Sequence, residues 1–310
     1  MTQSVAGRIV VFGSLNIDLV QRVPRLPVPG ETVRGADLAT FTGGKGANQA
    51  CAAARLGGRA SMAGVVGNDS FAEAILADLH SAGVDTSLVR RASRMSGTAT
   101  ILLLPNGDNC ILLSPAANSD ANPGLAEAAT APMVSGDILL CQLEVPLDAV
   151  ATAVSSARAQ GAITILDPAP ACELPNSLLH CVEILTPNQS EAATLLGWPA
   201  PVATVHQARI AATALRQRGS AGIIVKLGEL GCLVHTADGS CHIPAITGDV
   251  VDTTAAGDTF NGALAVALQE GRSLVDAARF AVAAASLSVR RPGAISSIPS
   301  RSEVNALIEV

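Results

Sequence analysis

Short apolar runs recur along the whole chain, and alanine-rich stretches with helical spacing separate most of them. The runs cover residues 8–13, 137–143, 162–167, 182–187 and 221–227. Buried parallel strands have this continuous apolar character, and helices that alternate with them cover both faces of the sheet. The pattern therefore predicts an α/β fold with a doubly wound, mostly parallel sheet flanked by helices.

Two regions depart from this alternation and predict a smaller β-sheet. Residues 14–42 are rich in proline and β-forming residues, and residues 96–113 have the pattern of a hairpin. The hairpin turn is Pro105-Asn106-Gly107-Asp108, whose Asn-Gly pair is a strong signal for a tight turn. Because no linker composition sets these regions apart, we expect a single domain over residues 1–310, with lid strands inserted at about 14–42 and 96–118.

Composition narrows the class of partner to small molecules. The 310 residues are 49% hydrophobic and 15% charged, which excludes disorder, and no apolar run approaches the ~20 residues of a membrane span. The start of the chain lacks the pattern of an export signal, so we expect a cytoplasmic protein. A net charge of −6 with 2% aromatic residues argues against a nucleic-acid surface. The 7 cysteines are scattered without a C-x-x-C pair, which argues against a disulfide framework or a structural zinc site.

Polar side chains follow the predicted strands at the point where each strand ends. They are Asn16, Asp18, Gln142, Glu144, Asp167, Asn188 and Lys226. Ligands of open parallel sheets bind beyond the carboxyl ends of the strands, so these residues predict a site at that edge. Of the 20 basic residues all are arginine except Lys45 and Lys226, which suggests that a compact point charge is needed at those two positions.

A glycine-rich segment, Thr42-Gly43-Gly44-Lys45-Gly46-Ala47-Asn48, opens a predicted helix that continues to about Leu56. Glycines permit close approach of the backbone, and a helix N-terminus beside a lysine attracts an anionic or polyhydroxyl ligand. The spacing is not that of a Walker A loop. A purely structural turn is the alternative interpretation.

A second segment, Asp252-Thr253-Thr254-Ala255-Ala256-Gly257-Asp258-Thr259-Phe260, precedes an apolar helical pattern that starts near Asp258 and stops at Gly271. The small residues before the helix would let backbone N–H groups form an anion hole. Two interpretations of Asp258 remain open at this point. It can cap the helix, or it can act as a general base beside a bound phosphate.

The stretch Asn188-Gln189-Ser190-Glu191 lies at the start of another predicted helix. Asn and Glu three residues apart are typical of a capping box, but an amide and a carboxylate can also order the water shell of Mg²⁺ beside phosphates. The spacing alone does not decide between them.

Together these segments resemble the ribokinase-type sugar kinases of the phosphofructokinase-B superfamily, over about residues 8–299. Both family signatures occur in order, at residues 43–50 and 252–262, and supporting stretches lie at 13–18, 29–33, 142–144, 167–171 and 186–188. These stretches are most similar to the members that phosphorylate ribose. The resemblance implies a ribokinase-like fold with a small β-sheet lid.

The resemblance also implies roles for individual residues. For the sugar hydroxyls it implies Asn16, Asp18, Gly44, Lys45, Asn48 and Glu144, with Asp258 as the base that also contacts the substrate. For the anion hole it implies Ala255, Ala256, Gly257 and Asp258. For ATP it implies Asn188, Lys226, Leu227, Gly228, Glu229, Leu230, Gly231, Gly257 and Asp258, with Glu191 acting on Mg²⁺ through water. For an activating K⁺ ion it implies Asp252, Thr254, Ser288, Arg291, Gly293 and Ser297.

The activity implied by the resemblance is transfer of phosphate from ATP to the 5-hydroxyl of D-ribose, in a homodimer paired through the lid strands. Kinases of the same superfamily acting on deoxyribose, fructose, a phosphosugar or adenosine are alternatives, and a sugar-binding regulator without catalysis is a remote one. The scarcity of aromatic residues weakens the nucleoside alternative. A phosphosugar kinase would need extra cations, which Arg90, Arg91 and Arg94 could supply. Two departures from the family pattern are Pro115-Ala116-Ala117-Asn118 at the lid base and Val282 near the expected adenine pocket.

Overall fold

The structure is a computed structural model, and the residues it describes, 7–106 and 108–308, form two β-sheets and ten α-helices. The strands are β1 (Ile9–Phe12), β2 (Asn16–Arg22), β3 (Ala39–Gly43), β4 (Ala60–Val66), β5 (Asp85–Arg91), β6 (Gly97–Leu103), β7 (Asn109–Ser114), β8 (Ile138–Cys141), β9 (Ile163–Leu166), β10 (Ile184–Leu185), β11 (Gly222–Lys226), β12 (Cys232–Thr236) and β13 (Gly239–Ile243). The helices are α1 (Lys45–Arg55), α2 (Ser70–Ser81), α3 (Pro123–Thr130), α4 (Leu147–Ala159), α5 (Asn176–Leu179), α6 (Gln189–Leu196), α7 (Val205–Gln217), α8 (Ala256–Gln269), α9 (Leu274–Ser288) and α10 (Arg301–Ile308). None of the described helices combines the length and apolar character needed to cross a membrane.

The larger sheet has nine strands in the order β13-β12-β11-β10-β9-β8-β1-β4-β5. Each of the five apolar runs forms one of its parallel strands, β1, β8, β9, β10 and β11, which confirms the predicted fold class. The sequence pattern did not single out β4 and β5, nor the antiparallel pair β12 and β13 at the other end. β5 is mostly polar and partly exposed, because it forms an edge of the sheet.

Alternate residues of the interior strand β1 divide the core into two layers, because successive side chains of a strand point to opposite faces. Ile9 and Val11 pack in a cluster with residues of α1, α8 and α9. Val10 and Phe12 pack in a second cluster with residues of α3 and α4. All four side chains are almost fully buried, so the sheet is covered on both faces, as a doubly wound fold requires.

Helices α1 and α8, which begin in the two signature segments, lie unusually close together because of a glycine. A Cβ atom added at Gly262 of α8 would lie 2.5 Å from the Cβ of Ala52 in α1. No other residue fits there without displacing one of the helices. Because both N-termini point to the carboxyl edge of the sheet, this packing places the two predicted site segments side by side.

The smaller sheet has the order β3-β2-β6-β7, with β2 and β6 parallel and the other pairs antiparallel. Its strands come from the two regions that broke the helix–strand alternation. No strand lies between residues 23 and 38, and Gly107 of the predicted turn lies outside the described residues. The edge strand β7 exposes Ile111 and Leu112, at 57% and 73% of their surface.

Candidate active site

A cavity of about 420 Å³ opens beyond the carboxyl ends of the parallel strands. Residues from strand ends and from both signature segments line it together. They are Lys45, Asp167, Asn188, Gln189, Ser190, Glu191, Lys226, Gly228, Thr253, Ala255, Ala256, Gly257 and Asp258. The structure thus brings together residues that lie more than 200 positions apart in the chain.

The first glycine-rich segment is shaped by close backbone contacts with the loop after β1. Gly44, just before α1, has φ of +89°, and a Cβ there would lie 2.8 Å from the backbone nitrogen of Asn16. At Gly46 a Cβ would lie 2.7 Å from the nitrogen of Ser14. The glycines therefore let the start of α1 press against this loop, so that Lys45 faces the cavity.

Two carboxylates lie on the lid side of this helix start. Glu144 accepts hydrogen bonds from Ser14 Oγ (2.5 Å) and from the backbone N–H of Lys45 (3.2 Å). Asp18 on β2 lies against Gly43, where a Cβ would come within 2.4 Å of its Oδ2. Burial, together with the negative charges of Glu144 and Asp258, raises the pKa of Asp18 to about 6. A ligand that offers hydroxyl donors would relieve this crowding of negative charge.

A side chain from the end of the lid holds Asn16 in place. Asn118 donates through Nδ2 to Asn16 Oδ1 (2.7 Å) and accepts from the backbone N–H of Leu15 (2.9 Å). A Cβ at Gly97 would lie 2.2 Å from the same Asn16 oxygen, so the space around it is closed. Asn118 received no role from the sequence, although it ends the stretch that departs from the family pattern at the lid base.

Asp258 is not a helix cap, so the capping interpretation was wrong. Helix α8 begins at Ala256, close to Asp258 as predicted, but its N-cap is Ala255 and no side chain caps it. The Asp258 carboxylate instead accepts from Asn48 Nδ2 and Gln49 Nε2, each at 3.0 Å. Burial raises the pKa of Asp258 and Asp167 adds to the effect, whereas Lys45 opposes it. A buried carboxylate with raised proton affinity, at the mouth of a cavity, has the properties of a general base.

Lys45 is a cation surrounded by carboxylates. Burial by itself would lower the pKa of its ammonium group, but the charges of Asp258, Asp167 and Glu144 outweigh burial and raise it. Lys45 therefore stays protonated at physiological pH and holds a fixed positive charge within the cavity.

The turn before α8 has a strained backbone. Ala255 adopts the left-handed region with φ 57° and ψ 13°, which residues with a Cβ rarely occupy. The N–H of Ala256 donates back to the carbonyl of Thr253 (3.2 Å), and the helix N-terminus carries partial positive charge into the cavity. This geometry suits an anionic group beside Gly257 and Asp258.

Asn188 and Glu191 form the capping box that their spacing suggested. Asn188 Oδ1 accepts from the N–H of Glu191 (2.8 Å), and Glu191 accepts from the N–H and Nδ2 of Asn188, each at 2.7 Å. Both residues also line the cavity. Burial raises the pKa of Glu191, whereas Lys226 lowers it. The carboxylate has further lone pairs, so the capping role does not exclude one toward ordered water.

A second cavity of about 770 Å³ adjoins the first, and its walls are mainly apolar. Ile246, Val250, Val282 and Ala285 contribute to the walls. The whole loop from Lys226 to Gly231 lines it as well, as do Gly257 and Phe260. Lys226 and Gly257 line both cavities and thus lie at their junction.

The residues proposed for a monovalent cation are only partly in contact. Asp252 accepts from the N–H of Gly293 (2.8 Å) and from the N–H and Oγ1 of Thr254, at 2.9 and 2.6 Å. The backbone N–H of Arg291 donates to Ser288 O (3.1 Å), while the Arg291 side chain pairs with Glu303. Ser297 Oγ donates within its own turn. Backbone carbonyl oxygens are therefore the main ligands that these segments could offer to a cation.

The sequence did not reveal a buried hydrogen-bonded network behind the base. Gln49 Nε2 donates to Asp258 and to Asp167 Oδ2 (2.9 Å), and Lys226 Nζ donates to Asp167 Oδ1 (2.8 Å). Gln142 Nε2 donates to Gln49 Oε1 (2.6 Å). The position of Gln49 within the first signature segment was the one sequence feature that could have pointed to it. Its spacing in the helix does not indicate a function, because an amide in a helix interior can have many partners.

Comparison with known proteins gives a consistent picture. The pfkB family of carbohydrate kinases matches residues 6–301. A ribokinase of Haemophilus influenzae is 39% identical over 97% of this chain and 98% of its own length. A deoxyribokinase of Salmonella typhi is 35% identical over 97% of this chain and 99% of its own. A solved structure of Arabidopsis thaliana ribokinase complexed with ribose and ATP superposes with a TM-score of 0.90 at 34% identity, covering 99% of this chain and all of that one.

Proposed function

The chain belongs to the pfkB family of carbohydrate kinases, and on that premise we propose that it phosphorylates D-ribose at the 5-hydroxyl, using ATP and giving D-ribose 5-phosphate and ADP. The observation that carries the reaction is Asp258, a buried carboxylate held by two amides at the N-terminus of α8 and facing the cavity. The ribokinases that match this chain over nearly its full length support ribose as the phosphate acceptor.

In this mechanism Asp258 takes the proton of the ribose 5-hydroxyl while that oxygen attacks the γ-phosphorus of ATP in line. The new O–P bond forms as the bond from phosphorus to the β–γ bridging oxygen breaks, and the electron pair leaves with ADP. Asn48 and Gln49 fix the carboxylate during the transfer. The raised pKa of Asp258 favours proton acceptance, because a stronger base takes the hydroxyl proton more readily.

Charge on the transferring phosphoryl group would be met by groups that are already in place. The backbone at Ala255, Ala256 and Gly257 presents the N-terminus of α8, and Lys45 lines the same cavity. Because these groups need little reorganisation, they can stabilise the charge that develops in the transition state. The apolar second cavity would hold the adenine, with the loop 226–231 along it.

The sugar would bind between the main sheet and the lid. The groups that we propose as contacts are Asn16, Asp18, Gly44, Lys45, Asn48 and Glu144. Asn48 donates to Asp258, so its side chain lies beside the group that would receive the hydroxyl proton. Asp18 and Glu144 would offer carboxylate oxygens that accept from sugar hydroxyls. A sugar that lacks a hydroxyl at these positions leaves an acceptor unsatisfied, at a cost of about 1–3 kcal/mol, which disfavours deoxyribose.

Two ions fit the donor sets on these surfaces. Asn188 and Glu191 offer the oxygen atoms that Mg²⁺ prefers, and Mg²⁺ beside them would neutralise charge on the ATP phosphates. Among the described residues no group of three or more His, Cys, Asp and Glu side chains is arranged to hold a metal ion, so the phosphates and water would complete its shell. Around Asp252 and Thr254, with Ser288, Arg291, Gly293 and Ser297, carbonyl and hydroxyl oxygens suit K⁺.

We further propose a single domain in which the smaller sheet closes over the sugar and excludes water, in a cytoplasmic homodimer paired through the lid. The exposed apolar residues of β7 support this pairing. The phosphosugar alternative is weakened, because Arg91 and Arg94 pair with Glu73 and Asp120.

The test is ADP release with Mg²⁺-ATP against D-ribose, 2-deoxyribose, fructose, fructose 6-phosphate and adenosine, each with and without K⁺. Preference for ribose with stimulation by K⁺ is expected. Preference for deoxyribose, the substrate class named for one relative, would retain the kinase and overturn the sugar assignment. ATP turnover with none of them would overturn the proposed function.

A further inference from the structure

A buried ion pair joins the two cavities, and one side chain links it to the base. The Lys226–Asp167 pair is 2.8 Å long, and the side chains are exposed over 13% and 2% of their surface. Gln49 Nε2 donates to both Asp167 and Asp258, so a single amide bridges the two carboxylates. The family resemblance assigned Lys226 to the border of the nucleotide and gave Asp167 and Gln49 no function.

We propose that Lys226 is a further catalytic residue that contacts the transferring phosphoryl group, and that Asp167 and Gln49 are positioning residues that hold this cation in register with Asp258. This inference rests on the proposed function, since it assumes that a nucleoside triphosphate places its γ-phosphate between the two cavities.

The position of the ammonium group supports a phosphate contact. Lys226 Nζ lies 3.5 Å from where a Cβ on Gly257 would be, which places it beside the N-terminus of α8. An ammonium has three donors, and the bond to Asp167 engages one of them. Lys226 also lines both cavities, so a phosphoryl group that moves from nucleotide to sugar passes this charge.

The bridge through Gln49 has a fixed polarity. Gln142 donates to Gln49 Oε1, so the Gln49 amide nitrogen must face the two carboxylates. The charge of Asp167 is thereby held beside Asp258, where it favours the protonated base. The ammonium of Lys226 lies beside the N-terminus of the same helix, and a cation there would favour the ionised base. The other charged groups that act on Asp258 are Lys45 from α1 and Asp18 from β2. Removal of Asp167 or of Lys226 should therefore move the titration of the base in opposite directions.

The kinetic test is the pH profile of kcat/KM for Asp167→Asn and Lys226→Met. The acid limb of this profile is the range in which activity falls as the base becomes protonated. We expect it to move to lower pH in Asp167→Asn and to higher pH in Lys226→Met. We also expect kcat to fall by about 10²–10³ in Lys226→Met, as for the loss of one transition-state contact. Lys226→Arg, which keeps the charge, should recover most of this loss. Limbs that coincide with the wild type, or that move in the same direction, would overturn the positioning role.

A matched control is Asp137→Asn. Asp137 is as buried as Asp167 and pairs with Arg8, but it precedes β8 at the opposite edge of the sheet. The Asp137→Asn substitution should lower the free energy of unfolding without moving the acid limb of the pH profile. If Asp167→Asn does not fold, the double variant with Lys226→Met removes both charges and leaves no unpaired ion. Its acid limb is expected near that of the wild type, and a limb displaced as far as in Lys226→Met would overturn the positioning role.

Calorimetric binding of ATP and of adenosine tests the phosphate contact without turnover. Lys226→Met should raise the Kd for ATP by about tenfold, which corresponds to about 1.4 kcal/mol of binding free energy. The Kd for adenosine should stay within about twofold of the wild-type value. Equal effects on both ligands, or none, would overturn the contact. If the wild type turns over no sugar but the ATP-specific loss is seen, the proposed function fails while the phosphate contact stands.

Discussion

Replacement of Asp258 by asparagine separates the chemistry of the base from its packing. The carboxylate accepts one bond from Asn48 and one from Gln49. Gln49 cannot turn its amide, because its oxygen is held by Gln142. Asn48 can, since its Oδ1 is buried without a partner and would accept from the new amide nitrogen. Asp258→Asn therefore keeps both bonds after one amide rotation, and we expect stability to change by no more than about 1–2 kcal/mol.

The effect on turnover should be much larger than the effect on stability. An amide does not accept the hydroxyl proton, and loss of a general base lowers kcat by about 10²–10⁴, or about 3–5 kcal/mol of transition-state stabilisation. The amide oxygen still accepts a hydrogen bond from the sugar hydroxyl. Ribose affinity should therefore change little.

The assay is ADP release at saturating ribose and ATP, with ribose affinity measured by calorimetry and stability by urea unfolding. Asp137→Asn serves as a control for the loss of a buried carboxylate, and it should keep near-normal kcat. Near-normal kcat in Asp258→Asn would refute the role of Asp258 as base. A kcat loss that is matched by an equal loss of ribose affinity would instead show a binding role.

Three further predictions concern the sugar side of the site. The raised pKa of Asp18, about 6 against 3.8, means that the folded state binds this proton more tightly than the unfolded state, so stability falls as pH rises from about 4 to 6. Asp18→Asn should therefore raise the free energy of unfolding without sugar by about 2–3 kcal/mol at pH 8 but by little at pH 4, as measured in urea; an equal gain at both pH values would contradict this. Asn118→Ala leaves the buried N–H of Leu15 unpaired and frees Asn16, so KM for ribose should rise while KM for ATP stays constant. A lower melting temperature with an unchanged KM for ribose would count against this role of Asn118. Gly44→Ala adds a Cβ 2.8 Å from the Asn16 nitrogen at φ +89°, and should lower the melting temperature and kcat together; unchanged values would show that α1 can shift.

The sequence alone determined the fold class and most of the residues around the cavity. The five apolar runs became parallel strands because a strand buried on both faces must be apolar throughout, and this signal is local. The edge strands β5 and β13 lacked it, because partial exposure allows polar positions. Glycine spacing likewise located the first signature segment, since close backbone approach excludes other residues.

Only the tertiary structure decided what the polar residues do. Whether Asp258 caps α8 or faces Asn48 depends on a partner helix about 210 positions away, and helix spacing cannot report that contact. The Gln49–Asp167–Lys226 network joins α1 with the ends of β9 and β11. Asn118 reaches Asn16 from the other end of the lid. These contacts form because parallel strands bring their carboxyl ends to one edge, whereas a linear sequence places the same residues far apart.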